Sequence, residues 1–367
     1  MNDERISIAS PQLGAAERDR IDSVIDSGII ADGPEVRGFE REFADYCGAD
    51  HGVATSNGTT ALHAALHALK IGSGDRVLTT PFTFIATANA VAFTGAEVGF
   101  VDIDPQTYNI DPDALESRLR DGEEVDAVIA VHLYGLPADI TRLVELAETY
   151  DFALVEDAAQ AHGAEVEGKR VGSFGDAACF SFYPTKNMTT SEGGIITTNR
   201  VDVAERAARF VDHGRVSGYE HAEVGHNFRM TSIAAAIGRI QLERLPGFTR
   251  ARQANAAALS EYLTDAPVTT PYTPPDRTHV FHQYTVQCDS VDRDALKSYL
   301  DAKGISTGVY YPKPVHKQPA YEHLSVSAPV AEEAAERVLS LPIHPELSEA
   351  DIERIGRAVT DYAEVVT

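Results

Sequence analysis

Cysteine is scarce in this chain of 367 residues, with only Cys47, Cys179 and Cys288. They are far apart and odd in number. That excludes a CxxC metal pattern and a disulfide framework, and it fits a reducing cytosol. Long apolar runs are also missing. None reaches the ~18–20 residues of a membrane span, so no membrane partner is expected. The opening Met1-Asn2-Asp3-Glu4-Arg5 lacks a basic stretch followed by an apolar one. No signal peptide is expected, and the cytoplasm is the expected compartment. Basic residues are few, 31 against 56 acidic, for a formal net charge of −25. Such a field disfavours binding to nucleic acid. The acids are spread through amphipathic segments rather than gathered in a tail. The expectation is a folded protein with an acidic, strongly hydrated surface of the kind halophiles use. Glu332, Glu333 and Glu336 are expected to hold hydrated cations there.

The length suggests two domains, read as 1–245 and 246–367. Up to about residue 240, short apolar runs alternate with helical patterns. Seven strands are predicted, beginning near Gly52, Arg76, Val98, Ala127, Ala153, Ala178 and Ile195. Such runs separated by helices suit an α/β fold with a mainly parallel sheet covered on both faces. Helices are predicted at Thr60–Lys70, Pro112–Arg120 and Ile140–Thr149. Asp111 caps the second, with Pro112 at the first helical position. A long helical stretch from Thr231 to Leu263 follows, predicted to break at Pro246-Gly247. Asp265–Thr278 is proline-rich and reads as a linker or loop. The remainder reads as a smaller α/β domain. Its predicted strands are Phe281–Val286 and Ile305–Tyr311, and its helices Asp292–Lys303, Val330–Leu339 and Ser348–Tyr362.

Lys186 is the most informative residue. It stands in Ser181-Phe182-Tyr183-Pro184-Thr185-Lys186-Asn187-Met188, after an apolar strand and before Gly193-Gly194. Upstream, another apolar run ends in Val155-Glu156-Asp157-Ala158-Ala159-Gln160-Ala161-His162-Gly163. Strand ends in α/β sheets are where sites are built. A carboxylate at one strand end and a lone lysine after another suit pyridoxal phosphate. The lysine can form a Schiff base, and the aspartate can keep the pyridinium nitrogen protonated. Asn57-Gly58-Thr59-Thr60 lies between a strand and a helix. It reads equally as an anion site of free N–H groups or as an ordinary helix cap by Thr59 or Thr60. Phe84 taken alone reads as a core aromatic. His63 and His67 stand four apart on a helix, but no third ligand is evident, and no metal is expected.

Taken in order, these motifs resemble the DegT/DnrJ/StrS family of sugar aminotransferases, within the fold-type I pyridoxal-phosphate enzymes. The resemblance runs from Gly33-Pro34-Glu35 through Ser56-Asn57-Gly58-Thr59-Thr60 to Leu341-Pro342-Ile343-His344-Pro345. It implies that Gly58, Thr59 and Ser181 bind the cofactor phosphate and that Phe84 stacks on the ring. Gln160 is implied to hydrogen-bond the phenolic oxygen, while His162 is left without a role. Asn227, in Gly225-His226-Asn227-Phe228-Arg229, is implied to reach the partner subunit's cofactor phosphate, hence a homodimer with shared sites. Gly304 to His316 matches the substrate segment, which offers Tyr310, Tyr311, Lys313 and His316. Many relatives carry His-Tyr-Pro where this chain has Tyr310-Tyr311-Pro312. The implied reaction moves an amino group from glutamate to a nucleotide-linked ketosugar, at C3 in preference to C4. A dehydratase of the same fold would lack the lysine. A noncatalytic regulatory relative would be expected to lose Asp157 or Lys186. A nucleotide-binding oxidoreductase would need a GxGxxG turn that Ser56-Asn57-Gly58-Thr59 is not.

Overall fold

The computed structural model describes residues 5–366. The chain begins with two helices, α1 (Ala15–Ser27) and α2 (Pro34–Cys47). There follow β1 (His51–Thr55), α3 (Gly58–Ala68), β2 (Arg76–Thr79), α4 (Ala86–Thr94) and β3 (Glu97–Phe100). Next come α5 (Pro112–Arg120), β4 (Ala127–Val131), α6 (Ile140–Tyr150), β5 (Ala153–Asp157), β6 (Ala177–Ser181), β7 (Gly194–Thr198) and α7 (Val201–Val211). These seven strands make one sheet in the order β1-β7-β6-β5-β4-β2-β3. Strand β7 runs antiparallel to both of its neighbours, and the other pairs are parallel. All seven predicted strands are present.

Side chains alternate between the two faces of each strand. In β4, Ala127 and Ile129 join the core beneath α3 and α7, with Leu62, Leu66 and Phe210. Val128 and Ala130 join the opposite core, with Leu115 of α5 and Leu143 of α6. A third core brings Phe39 and Phe43 of α2 against Phe180 and Phe182. Both faces are therefore buried, which explains why the strands read as continuous apolar runs.

Helix α8 spans Ser232–Tyr262, with Thr231 capping its start by accepting the Ala234 N–H. The predicted break at Pro246-Gly247 does not occur. The helix continues through Pro246 because it is packed along its length, with Leu242, Leu245 and Phe248 all buried. Tertiary burial outweighs the ~3 kcal/mol cost of an interior proline.

The C-terminal region is built on β8 (Tyr284–Gln287), α9 (Arg293–Ala302), α10 (Pro329–Arg337), β9 (Val338–Leu341) and α11 (Glu349–Val366). Strands β8 and β9 pair antiparallel. Their core gathers Leu259, Tyr284, Leu300, Leu339 and Ile355, and Ile6 joins it. Two expectations need correction. The stretch Ile305–Tyr311 forms no strand, only isolated pairings of Ile305 with Ile6 and of Gly308 with Ser340. The helix predicted over Val330–Leu339 ends at Arg337, and Val338 opens a strand. Of the three glutamates on α10, Glu332 is engaged by His316 and Lys317, and Glu333 pairs with Arg337. Glu336 is exposed. All three cysteines are buried and unpaired. Among the described residues, no helix is long and apolar enough to cross a membrane.

Candidate active site

The carboxyl ends of β1, β5 and β6 open onto one cavity of about 770 Å³. Asp157, the last residue of β5, lines it together with Lys186, Gly58, Ser181 and Phe84. This is the edge of a parallel sheet at which ligands are received.

Asp157 is buried. The Thr87 hydroxyl donates to its Oδ2 at 2.8 Å, and the Ala159 N–H donates to its Oδ1 at 3.2 Å. Burial pushes its pKa up, and these hydrogen bonds and the Lys186 charge oppose that rise. Behind Asp157, Glu156 is fully buried on the other face of β5. It accepts N–H bonds from Gly172, Phe174 and Gly175, and it faces His132 Nε2 at 3.1 Å. The neighbouring carboxylate is thus consumed by structure, and of the two acids ending β5 only Asp157 is presented to the cavity, which Glu192 also lines.

Lys186 is half-buried in a turn closed by its own N–H to the Tyr183 carbonyl, 2.8 Å. Desolvation lowers its pKa to about 8, against the pull of Asp157. More of the amine is therefore unprotonated at neutral pH than for a free lysine. The next residue, Asn187, is buried and donates to the Val280 carbonyl at 3.1 Å, which ties the lysine loop to the C-terminal segment.

At the start of α3 the cap is Asn57, not Thr59 or Thr60. Its side chain accepts the Thr60 N–H at 2.9 Å, while the Thr60 hydroxyl accepts the Asn57 N–H at 3.1 Å. That reciprocal box leaves the N–H groups of Gly58 and Thr59 directed into the first turn, where anions bind. A Cβ on Gly58 would stand 2.8 Å from Ser181 Cβ, so only glycine lets β6 approach this closely. Gln160 is oriented by accepting the Tyr134 N–H at 2.7 Å, and its Nε2 donates to the Tyr311 hydroxyl at 3.1 Å. Tyr310 and Tyr311 both line the cavity. Phe84 is 57% exposed and faces Tyr311 at a ring separation of 6.1 Å. It is not a core residue.

Three predicted residues lie elsewhere. Asn227 is exposed and outside the lining of its own chain's cavity. Lys313 is exposed outside it too. His316 is buried against Phe100 and bonded to Glu332 at 3.0 Å. His162 packs among Phe43, Phe180 and Phe182, and burial lowers its pKa to about 3. His63 and His67 lie among Phe93, Phe210 and Phe228, and no metal-binding group of three or more ligands occurs among the described residues. Two cavity residues carried no clear sequence signal. Thr87 stands three residues beyond Phe84, a spacing that returns to the same side of a helical turn. Arg252 sits mid-helix, 66 residues beyond Lys186 in the chain.

A softened lysine, a buried carboxylate and a helix N-terminus opening on Gly58 fit the aldehyde, the ring nitrogen and the phosphate of pyridoxal phosphate. Residues 11–360 match the DegT/DnrJ/EryC1/StrS aminotransferase family. The chain belongs to this family. It is 40% identical over 341 residues to the UDP-N-acetyl-3-dehydro-alpha-D-glucosamine 3-aminotransferase of Acidithiobacillus ferrooxidans, covering 92% of this chain and 91% of the relative. It is also 40% identical over 349 residues to the pleiotropic regulatory protein of Geobacillus stearothermophilus, covering 93% of each chain. Among solved structures it is similar to S. venezuelae DesV, determined in complex with a ketimine intermediate. The TM-score is 0.94 and the identity 40%, covering 98% of this chain and 99% of that one. The fold is that of these aminotransferases, the protein is an enzyme of this type, and its cofactor is pyridoxal 5′-phosphate.

Proposed function

We propose that the protein transfers the amino group of glutamate to a nucleotide-linked ketosugar, yielding an aminosugar for glycan or secondary-metabolite synthesis. The observation that carries this reading is the convergence of the Lys186 amine and the Asp157 carboxylate on one cavity. When bound, pyridoxal phosphate supplies a reactive carbon at C4′ and a ring that withdraws electrons. Lys186, which lines the cavity, would hold the group at C4′. Its Nζ, softened by desolvation, would serve as the base that moves a proton between the donor's α-carbon and C4′. Asp157, fixed by Thr87, would keep the ring nitrogen protonated. The Gly58 and Thr59 amides and the Ser181 hydroxyl would hold the phosphate, Gln160 would bond the phenolic oxygen, and Phe84 would cover a ring face. Tyr310 and Tyr311 wall the sugar side.

Asn227 is outside its own cavity, which agrees with a role in a partner's site and hence with a homodimer. We read residues 1–245 and 246–367 as two domains that meet at the cavity, and the cytoplasm as the compartment. Amination at C3 is preferred over C4 on the substrate segment Tyr311-Pro312-Lys313-Pro314-Val315-His316, and the 3-aminotransferase relative supports it. Retention of Lys186 disfavours a dehydratase. Retention of both Lys186 and Asp157 disfavours a noncatalytic regulator, despite the regulatory relative.

The test is to incubate purified holoenzyme with glutamate and a panel of nucleotide ketosugars, and to locate nitrogen in the product by NMR. Nitrogen at C4 reverses the regiochemistry. No aminated sugar from any ketosugar overturns the reading.

A further inference from the structure

Arg252, on α8, is 6% exposed and yet lines the cavity. Its Nη1 donates to the carbonyls of Phe281 and His282, at 3.1 and 3.4 Å. Its Nε is buried without a partner. Among the described residues, no carboxylate forms an ion pair with it. Of the other arginines on this helix, Arg239 pairs with Glu35 and Glu42 and Arg244 with Glu17, while Arg250 is exposed to solvent; only Arg252 is both buried and without a carboxylate. The histidines that feel the Arg252 charge, His162, His282 and His344, are all held towards neutrality by burial. Buried charges are ordinarily paired, and breaking such a pair is strongly destabilising. A lone buried guanidinium at a substrate cavity therefore points to a charge that arrives with the ligand.

Its position says which ligand. The Arg252 acceptor His282 places its own Nδ1 3.3 Å from Asn187 Oδ1, and Asn187 directly follows Lys186. Among the described residues, Lys186 and Arg252 are the only lysine and arginine lining the cavity. Gln283 lines it as well, with its side-chain oxygen buried and unpartnered. With the amide reversed, its NH2 would face the same ligand. We propose that Arg252, with Gln283 beside it, binds the α-carboxylate of the amino-acid donor and holds it next to Lys186. This rests on the aminotransferase reading above. The guanidinium fork suits a carboxylate, which it can grip through two parallel bonds.

The test uses holoenzyme of wild type, Arg252→Gln and Arg252→Lys. Glutamine keeps a polar donor on a shorter side chain but carries no charge. The amino-donor half-reaction is followed by cofactor absorbance, with L-glutamate and with butylamine, which has no carboxylate. Arg252→Gln should lower the ratio of kcat/KM for glutamate to that for butylamine by ~30-fold or more, mainly through KM. Calorimetry with glutarate, a dicarboxylate lacking an amine, should show binding to wild type and none to Arg252→Gln. An unchanged ratio with unchanged glutarate affinity overturns the assignment, as does a defect confined to the sugar half-reaction. If Arg252→Gln does not fold, Arg252→Lys carries the test. Its loss of the fork should raise the glutamate KM several-fold, and an unchanged KM overturns the proposal. A wild-type enzyme inert to every amine overturns the reaction itself. A reactive wild type with an indifferent Arg252→Gln overturns only the role of Arg252.

Discussion

The hydroxyl of Thr87 donates to Asp157 Oδ2 at 2.8 Å, across 70 positions of sequence. It fixes the direction of the one carboxylate at the strand end that is offered to the cavity. It also favours the ionised form, against burial that favours the neutral one. Thr87→Val keeps the shape and removes the donor. The Asp157 pKa should then rise further, and the acid limb of the kcat profile should move to higher pH. Hydrogen bonds to charged groups contribute ~1.5–3 kcal/mol, so kcat should fall by roughly tenfold or more. A profile that superimposes on wild type would show that the bond does not tune the carboxylate.

Lys186→Ala and Asp157→Asn should fail differently. The first removes both the covalent anchor and the proton carrier, so the absorbance of lysine-bound cofactor disappears and turnover drops by several orders of magnitude. The second should still bind cofactor but lose most of its activity, because a neutral amide does not stabilise a protonated ring nitrogen. Spectra and kcat of the two variants check this. Near-normal turnover in either removes that residue from the mechanism.

Asn227 is exposed on its own chain. If it serves a partner's site, mixing Lys186→Ala subunits with Asn227→Ala subunits should regenerate activity in the heterodimer. A verified heterodimer as inactive as its parents would count against sharing.

His162 is neutral in the fold because burial lowers its pKa to about 3. In the unfolded chain a histidine titrates near 6.5. Below that value the unfolded state binds the extra proton, so stability falls with pH from about 6.5 towards 3. His162→Phe, set among three phenylalanine rings, should flatten that acid loss by on the order of a few kcal/mol. Urea unfolding at pH 7 and pH 4.5 checks it. Equal slopes with pH in both proteins would place the acid sensitivity elsewhere.

A net charge of −25 makes the compact state repel itself. Salt shortens the Debye length from ~10 Å at 0.1 M to ~3 Å at 1 M. The Tm should therefore rise substantially between dilute buffer and molar potassium chloride. The paired Glu332 and Glu333 should contribute less to this rise than exposed Glu336. A flat Tm across that range would leave the acidity without adaptive effect.

The sheet was legible because its strands are short apolar runs buried on both faces, most of them separated by helices in the first half of the chain. Lys186 and Asp157 were legible because strand ends announce themselves by where apolar runs stop. The C-terminal region was harder. Val338-Leu339-Ser340-Leu341 continues the apolar pattern of α10 without a turn residue between them, and only pairing with Tyr284–Gln287 makes it a strand. Ile305–Tyr311 has strand composition but finds just single pairings. Thr87 and Arg252 were invisible for another reason. Their meaning lies in what they face, and no local pattern encodes a hydroxyl 70 positions from its carboxylate or an arginine that lacks one.

The uninterrupted course of α8 through Pro246 sets a phase relation. One rod holds Gly238 against Phe39 and Thr190, turns Arg252 to the cavity, and ends in the C-terminal core at Leu259. Each residue of an α-helix advances ~1.5 Å and rotates ~100°. A single residue inserted between Gly247 and Arg252 would therefore swing the guanidinium about a quarter-turn or more off the cavity and rotate the distal core against its partners. The angular count along this helix is thus part of the active site, and length changes in the chain should be tolerated in the loops around it long before they are tolerated here.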